Sequence, residues 1–122
     1  MSNQIVWVDI PVLKLDRAIK FYSAVLGSAV TLQSFPGLRF GLLPHVDFGV
    51  SGCLYESADN RPSQTGPLIY LNADGRLDDA IAAALANDGT VVQEKHQIGE
   101  HGYRAIVLDS EGNKIALHSN KA

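Results

Sequence analysis

The sequence predicts an α+β fold made of two βαβββ modules, and three observations predict it. The hydrophobic period changes from two to about 3.6 and back in each half of the chain, which gives a strand, a helix and three strands twice over. Leu15-Asp16-x-Ala18-Ile19 recurs as Leu77-Asp78-x-Ala80-Ile81, and Gly27-Ser28-x-Val30 recurs as Gly89-Thr90-x-Val92. Both repeats share one offset, from 15 to 77 and from 27 to 89, close to half the chain, as an internal duplication requires. Tyr103 to Ser119 then reads as a β-hairpin. Tyr103 to Leu108 and Lys114 to His118 hold its apolar and β-branched residues, and Asp109-Ser110-Glu111-Gly112-Asn113 supplies the oxygens and the positive-φ residue of its loop.

Each element has its own signal. Ile5 to Ile10 alternates, with Val6, Val8 and Ile10 on one face and Ile5, Trp7 and Asp9 on the other. From Leu15 the apolar residues Leu15, Ala18, Ile19, Tyr22, Val25 and Leu26 fall three and four apart on one helix face, and Gly27 supplies a left-handed stop. Ala29 to Gln33, Leu38 to Leu43 and Phe48 to Tyr55 read as strands, parted by Phe35-Pro36-Gly37 and by a loop from Pro44 to Asp47. The polar stretch Glu56 to Gly66 divides the chain into module one (1–56), a linker (57–66) and module two (67–122). Pro67 to Ala73 alternates like the first strand. A second helix follows through Leu77, Ala80, Ile81, Ala84 and Leu85, with Asp74 expected as its cap and Gly89 as its end. Thr90 to His96 and the two hairpin strands complete the series.

Composition narrows the function classes. A chain of 122 residues that is 46% hydrophobic and 19% charged is expected to form one globular domain. Ten Lys plus Arg against 13 Asp plus Glu give a formal charge of -3 without a basic cluster, so no nucleic-acid partner is expected. No apolar run approaches a membrane span, and Asp9, Lys14, Asp16, Arg17 and Lys20 interrupt the start of the chain, so neither membrane insertion nor export is expected. Cys53 is the single cysteine, which excludes an internal disulfide and fits the cytoplasm.

The hairpin Leu108-Asp109-Ser110-Glu111-Gly112-Asn113-Lys114-Ile115-Ala116-Leu117-His118 resembles the terminal D-x-x-G-N-x-I-x-L hairpin of the glyoxalase, bleomycin-resistance and dioxygenase group, the vicinal oxygen chelate superfamily. Val8-Asp9-Ile10-Pro11-Val12, followed by Leu15 to Gly27, resembles the opening of many of its members, so the likeness spans the chain. It implies that the two modules form a curved eight-stranded mixed sheet around a ligand cleft, with helices on the convex side. It also implies a homodimer, because members of this length commonly pair two chains.

In such a sheet the helices cover the apolar face, which takes Val6, Val8, Ile10, Ile69, Leu71, Ile115 and Leu117. Trp7, Asp9, Tyr70, Asn72, Ala116 and His118 are left for the cleft, a mixture of aromatic and polar groups that suits a small molecule. Metal-dependent members use His, Glu or Gln at four positions. By motif register these become Trp7, a residue near Gly52 or Cys53, Tyr70 and Ala116, which implies that no metal is bound and no cofactor is used.

Trp7, Asp9, Tyr70, Asn72 and His118 are therefore the expected ligand-binding residues. Asp9 reads as a base or cation anchor, or as a structural carboxylate accepting backbone N–H groups. Trp7 and Tyr70 either stack on a ligand or fill the space of the missing metal. His118 is either a pocket hydrogen-bonding group or part of a fraying terminus, while His45, His96 and His101 read as surface residues.

Two functions follow from the resemblance. One is a metal-free module that sequesters an aromatic or cationic compound. The other is a lyase, dioxygenase or thiol-transferase with an unrecognised metal or catalytic site.

Overall fold

The two hydrophobic periods fold into the same order of elements twice. In a computed structural model, which describes residues 3–47 and 49–122, the first series is β1 (Trp7–Val12), α1 (Leu15–Leu26), β2 (Thr31–Phe35), β3 (Leu38–Leu42) and β4 (Ser51–Glu56). The second is β5 (Ile69–Asn72), α2 (Leu77–Ala86), β6 (Thr90–Gln97), β7 (Tyr103–Leu108) and β8 (Lys114–Ser119).

The strands are ordered β1-β4-β3-β2 and β5-β8-β7-β6. β1–β4 and β5–β8 are parallel and the remaining pairs antiparallel, so both sheets are mixed. The eight expected strands are present, and hydrogen bonding divides them into two four-stranded sheets that leave β1 and β5 as edges. Pro11 in β1 and Pro67 just before β5 have no N–H to offer a neighbouring strand, which suits edge positions.

Both helices pack on the apolar side. Ile10, Val12, Leu54, Ile115 and Leu117 join Leu15, Phe21, Val25, Leu77 and Ala84 in one buried cluster, with Val8, Ile69 and Leu71 partly buried against it. Alternation therefore sorted the faces correctly, except at Val6, which precedes β1 and is 74% exposed.

Several local expectations are corrected. β1 begins at Trp7 and continues through Pro11 to Val12, because pairing with Ser51 to Glu56 extends past Ile10. β2 runs to Phe35, which pairs with Leu38 across a tight Pro36-Gly37 turn in which Gly37 takes φ 75°. β4 begins at Ser51, and Phe48, where that strand was expected to start, lies outside the described residues.

Gly27 ends α1 with φ 67°, as the sequence suggests. At the end of α2 the positive φ falls on Asp88, at 71°, while Gly89 answers a different constraint. A Cβ there would lie 2.7 Å from the Ala84 carbonyl oxygen and 2.8 Å from the Phe21 ring. Asp74 does not cap α2. Its Oδ1 accepts from the Asn120 N–H at 2.6 Å and the Ser119 hydroxyl at 3.3 Å, which ties the C-terminal strand to the β5–α2 turn and holds its pKa below the ordinary carboxylate value.

The two halves are clamped together by buried polar groups. Glu111 Oε1 accepts from the N–H groups of Leu13 at 2.8 Å and Lys14 at 2.7 Å, and its Oε2 takes the Arg17 Nε–H at 2.6 Å. Glu56 accepts from Leu15 N–H at 2.9 Å. The N-terminus of α1 thus has no cap of its own and is closed by two carboxylates from distant segments, placed where the helix dipole favours negative charge. Burial opposes ionisation of Glu111, but Arg17 and the N–H groups outweigh it, and the pKa falls below the ordinary value.

Candidate functional site

A groove of about 750 Å³ runs between the edge strands β1 and β5. β1 contributes Trp7, Asp9 and Pro11, and β5 with its lead-in contributes Pro67, Leu68 and Tyr70. Arg61, Ser63 and Thr65 of the 57–66 segment also line it, as does Lys114. That segment is held against the second sheet by Ser63, whose carbonyl accepts from Lys114 N–H at 3.1 Å and whose N–H donates to Asn113 Oδ1 at 3.1 Å. By composition alone, 57–66 is expected only to connect the two modules. The one available signal was that a polar loop beside a rigid scaffold is where binding groups tend to lie.

Trp7 is 46% exposed and Tyr70 47%, so neither ring fills a core. The Trp7 Nε1–H donates to Asp9 Oδ1 at 2.7 Å, and the Cys53 thiol reaches the same oxygen at 3.3 Å. Asp9 is exposed, and its donors are side chains and not the backbone N–H groups of a structural carboxylate. Burial first, and then the Asp9 carboxylate, push the Cys53 thiol up to about 11, so it is a thiol and not a nucleophilic thiolate at neutral pH.

The five expected binding residues divide between two places. Trp7 and Asp9 line the groove, Asn72 and His118 line a smaller pocket of about 280 Å³ with Asp74 and Asn120, and Tyr70 belongs to both. His118 is held in place by donation from its Nε2–H to the His101 carbonyl at 2.7 Å.

Two further residues carry no sign of their role in the sequence. Arg104 donates from Nη1 to the Tyr70 hydroxyl and from Nε to His96 Nε2, the latter at 3.0 Å. His96 is therefore half-buried and engaged, and does not lie free on the surface as expected. His45 and His101 are exposed, as the sequence suggests.

The chain's own repeat tests the four metal positions inferred from the resemblance. Ile10 lies opposite the fully buried Leu54, and Leu71 lies opposite the fully buried Leu117, so Ile10 and Leu71 are counterparts. Counting back three residues from each makes Leu68 the counterpart of Trp7, while Tyr70 matches Asp9. The same pairings match Cys53, opposite Asp9, with Ala116, opposite Tyr70. With either register, indole, a high-pKa thiol, leucine or phenol, and alanine form a donor set that does not fit a divalent cation. Among the described residues no three His, Cys, Asp or Glu side chains come together as a metal-binding group.

A sequence profile of the Glyoxalase/Bleomycin resistance protein/Dioxygenase superfamily matches residues 4–117. Among solved structures, a glyoxalase/bleomycin resistance protein from Albidiferax ferrireducens is 22% identical, covers 96% of this chain and 99% of its own, and superposes with a TM-score of 0.76. A glyoxalase-related enzyme from Fulvimarina pelagi is 14% identical, with coverage of 98% and 89% and a TM-score of 0.72. A glyoxalase I mutant from Zea mays is 19% identical over 94% of this chain and 45% of its own, also with a TM-score of 0.72. At these identities the likeness is one of fold. No protein of curated function matches the chain. No helix among the described residues is long and apolar enough to cross a membrane.

Proposed function

Since this chain belongs to the Glyoxalase/Bleomycin resistance protein/Dioxygenase superfamily, we propose that it is a metal-free binding protein whose groove between β1 and β5 holds a small aromatic compound. The observation that carries this reading is a groove of about 750 Å³, within the range of small-molecule sites, flanked by two half-exposed aromatic rings. Trp7 and Tyr70 offer stacking faces, and Pro11, Pro67 and Leu68 offer apolar walls. A cationic ligand is less well served, because Asp9 Oδ1 already takes two donors and Arg61 and Lys114 border the same space.

The protein acts as a cytoplasmic homodimer in this proposal. Leu32, Phe35 and Leu38 are each about half exposed on the β2–β3 hairpin, a surface a second copy would cover. Light scattering showing a monomer at micromolar concentration contradicts that part.

The test of binding is a thermal-shift screen of planar aromatic compounds, with metal analysis of the purified protein beside it. Stabilisation by aromatic ligands that quench or shift Trp7 fluorescence is expected. No stabilisation by any compound sinks the binding reading, and stoichiometric Fe, Mn, Ni or Zn that survives dialysis sinks its metal-free half.

A further inference from the structure

One row of polar side chains crosses the whole second sheet. Strand pairing aligns Asn72 of β5 with His118 of β8, His118 with Arg104 of β7, and Arg104 with His96 of β6. Helix α2 does not cover this row, since the apolar residues that alternate with it, Leu71, Ala105 and Leu117, face the core. A register shift between Gln93 and His96 places one extra residue in β6 and swings His96 into the row.

The row carries a fixed positive charge without an acidic partner. Among the described residues, Arg104 has no carboxylate within ion-pairing distance, because the ion pairs formed are Arg17–Glu111, Arg39–Asp16 and Lys95–Asp78. Its neighbours are Tyr70 and His96, and both accept from it. His96 in turn donates its Nδ1–H to the Glu94 carbonyl at 2.8 Å. That arrangement places the hydrogen on Nδ1 and leaves Nε2 as the acceptor. The guanidinium has five N–H donors, so three remain after these two bonds. Asp74, the carboxylate near His118, is taken up by Asn120 and Ser119.

A half-buried arginine oriented by two acceptors, with donors to spare and no counter-charge, is prepared for an anion. Tyr70 connects this position to the groove, because its ring lines the groove and its hydroxyl meets Arg104. We infer that the ligand is an aromatic carboxylate, whose ring lies in the groove against Tyr70 and whose carboxylate is received by Arg104, with His118 and Asn72 beside it. The inference rests on the proposed binding function and adds the charge class of the ligand and the place of its head group.

The test compares 2-naphthoate with 2-naphthamide, which share a ring system and differ in charge, by calorimetric titration of the full chain. The wild type is expected to bind naphthoate at least about tenfold more tightly, as a charge-assisted bidentate bond allows. Arg104→Met is expected to bring the two affinities together by weakening naphthoate the more, and Lys114→Met is expected to keep naphthoate the tighter binder. The wild-type Arg104 Nε–H resonance should also move with naphthoate and not with naphthamide, a measurement that needs no folded variant. Equal binding of both probes by the wild type overturns the anion assignment alone. So does a preference lost in Lys114→Met and kept in Arg104→Met, or an Arg104 resonance that ignores naphthoate. Failure of both probes to bind the wild type overturns this inference, and the binding function falls with it when the aromatic screen also finds no ligand.

Discussion

The Tyr22 hydroxyl of α1 donates to Asp109 Oδ2 in the loop between β7 and β8, a buried bond that spans 87 residues and joins the two halves of the chain. Asp109 also accepts from the N–H groups of Glu111 and Asn113 and from the Asn113 amide, so its charge is held by four donors in an otherwise apolar setting. Burial, followed by the Asp109 charge, drives the Tyr22 pKa well above its ordinary value, which keeps the phenol a donor. Tyr22→Phe removes one donor from a buried carboxylate and should lower unfolding stability by about 1–3 kcal/mol. Urea unfolding of the two proteins measures it, and an unchanged midpoint would show that the remaining three donors suffice.

Glu111 makes stability depend on acid. Its folded pKa lies below the ordinary value of 4.5, so it contributes stability that is fully present above pH 4.5 and is lost as pH falls from there through the lower folded value. In Glu111→Gln the neutral amide cannot titrate. Denaturation midpoints measured from pH 7 downward should show the variant weaker at neutral pH and the gap narrowing below pH 4.5. Asp74, lowered in the same direction, remains in both proteins and leaves a common slope.

Trp7→Ala should barely affect stability. A ring 46% exposed leaves no sealed cavity, so the 3–5 kcal/mol typical of a packed aromatic is not at stake and a loss of about 1 kcal/mol or less is expected. Ligand binding should fall instead. A large drop in melting temperature would mean that the indole is buried in solution, for instance by a second chain.

The repeat gives a discriminating metal test. Trp7→His, Leu68→His and Ala116→Glu together place donors at positions related by the chain's own symmetry, and this triple variant should gain measurable Ni or Zn affinity. The same set with Tyr70→His in place of Leu68→His should gain less. Titration with metal, after circular dichroism has established folding, separates the two. If neither folded variant takes up metal, the positions transferred from the superfamily do not apply to this chain.

A fifth expectation concerns close approach of β1 and β4. A Cβ on Gly52 would sit 2.3 Å from the Val8 carbonyl oxygen, backbone that cannot step aside without breaking the parallel pair. Gly52→Ala should therefore destabilise the protein by more than the roughly 1 kcal/mol spread of exposed substitutions, and a neutral result in thermal unfolding would show that β1 shifts freely at the groove.

Local periodicity made the fold legible. Tyr103–Leu108 forms as read, and the paired 15/77 and 27/89 motifs mark the duplication because helix faces and stops are encoded within a few residues. The site was only half legible for a physical reason. Arg104 meets His118 and His96 through cross-strand register, which no single strand's alternation reveals, and two register shifts in β6 set His96 in place of Glu94 opposite it. Asp74 looked like a helix cap, and only the arrival of the C-terminal strand shows why its carboxylate is needed elsewhere.

The closure of α1 by Glu111 also bears on how the protein is made. Synthesis proceeds from the N-terminus, so Leu13 and Lys14 leave the ribosome long before a carboxylate that lies 98 and 97 positions downstream. Glu56 arrives sooner and can serve Leu15, but the first helix keeps open donors until the final hairpin has been translated. The nascent first half is thus a client waiting for its last segment, and premature termination between Glu56 and Glu111 would release a chain whose leading helix is only half locked.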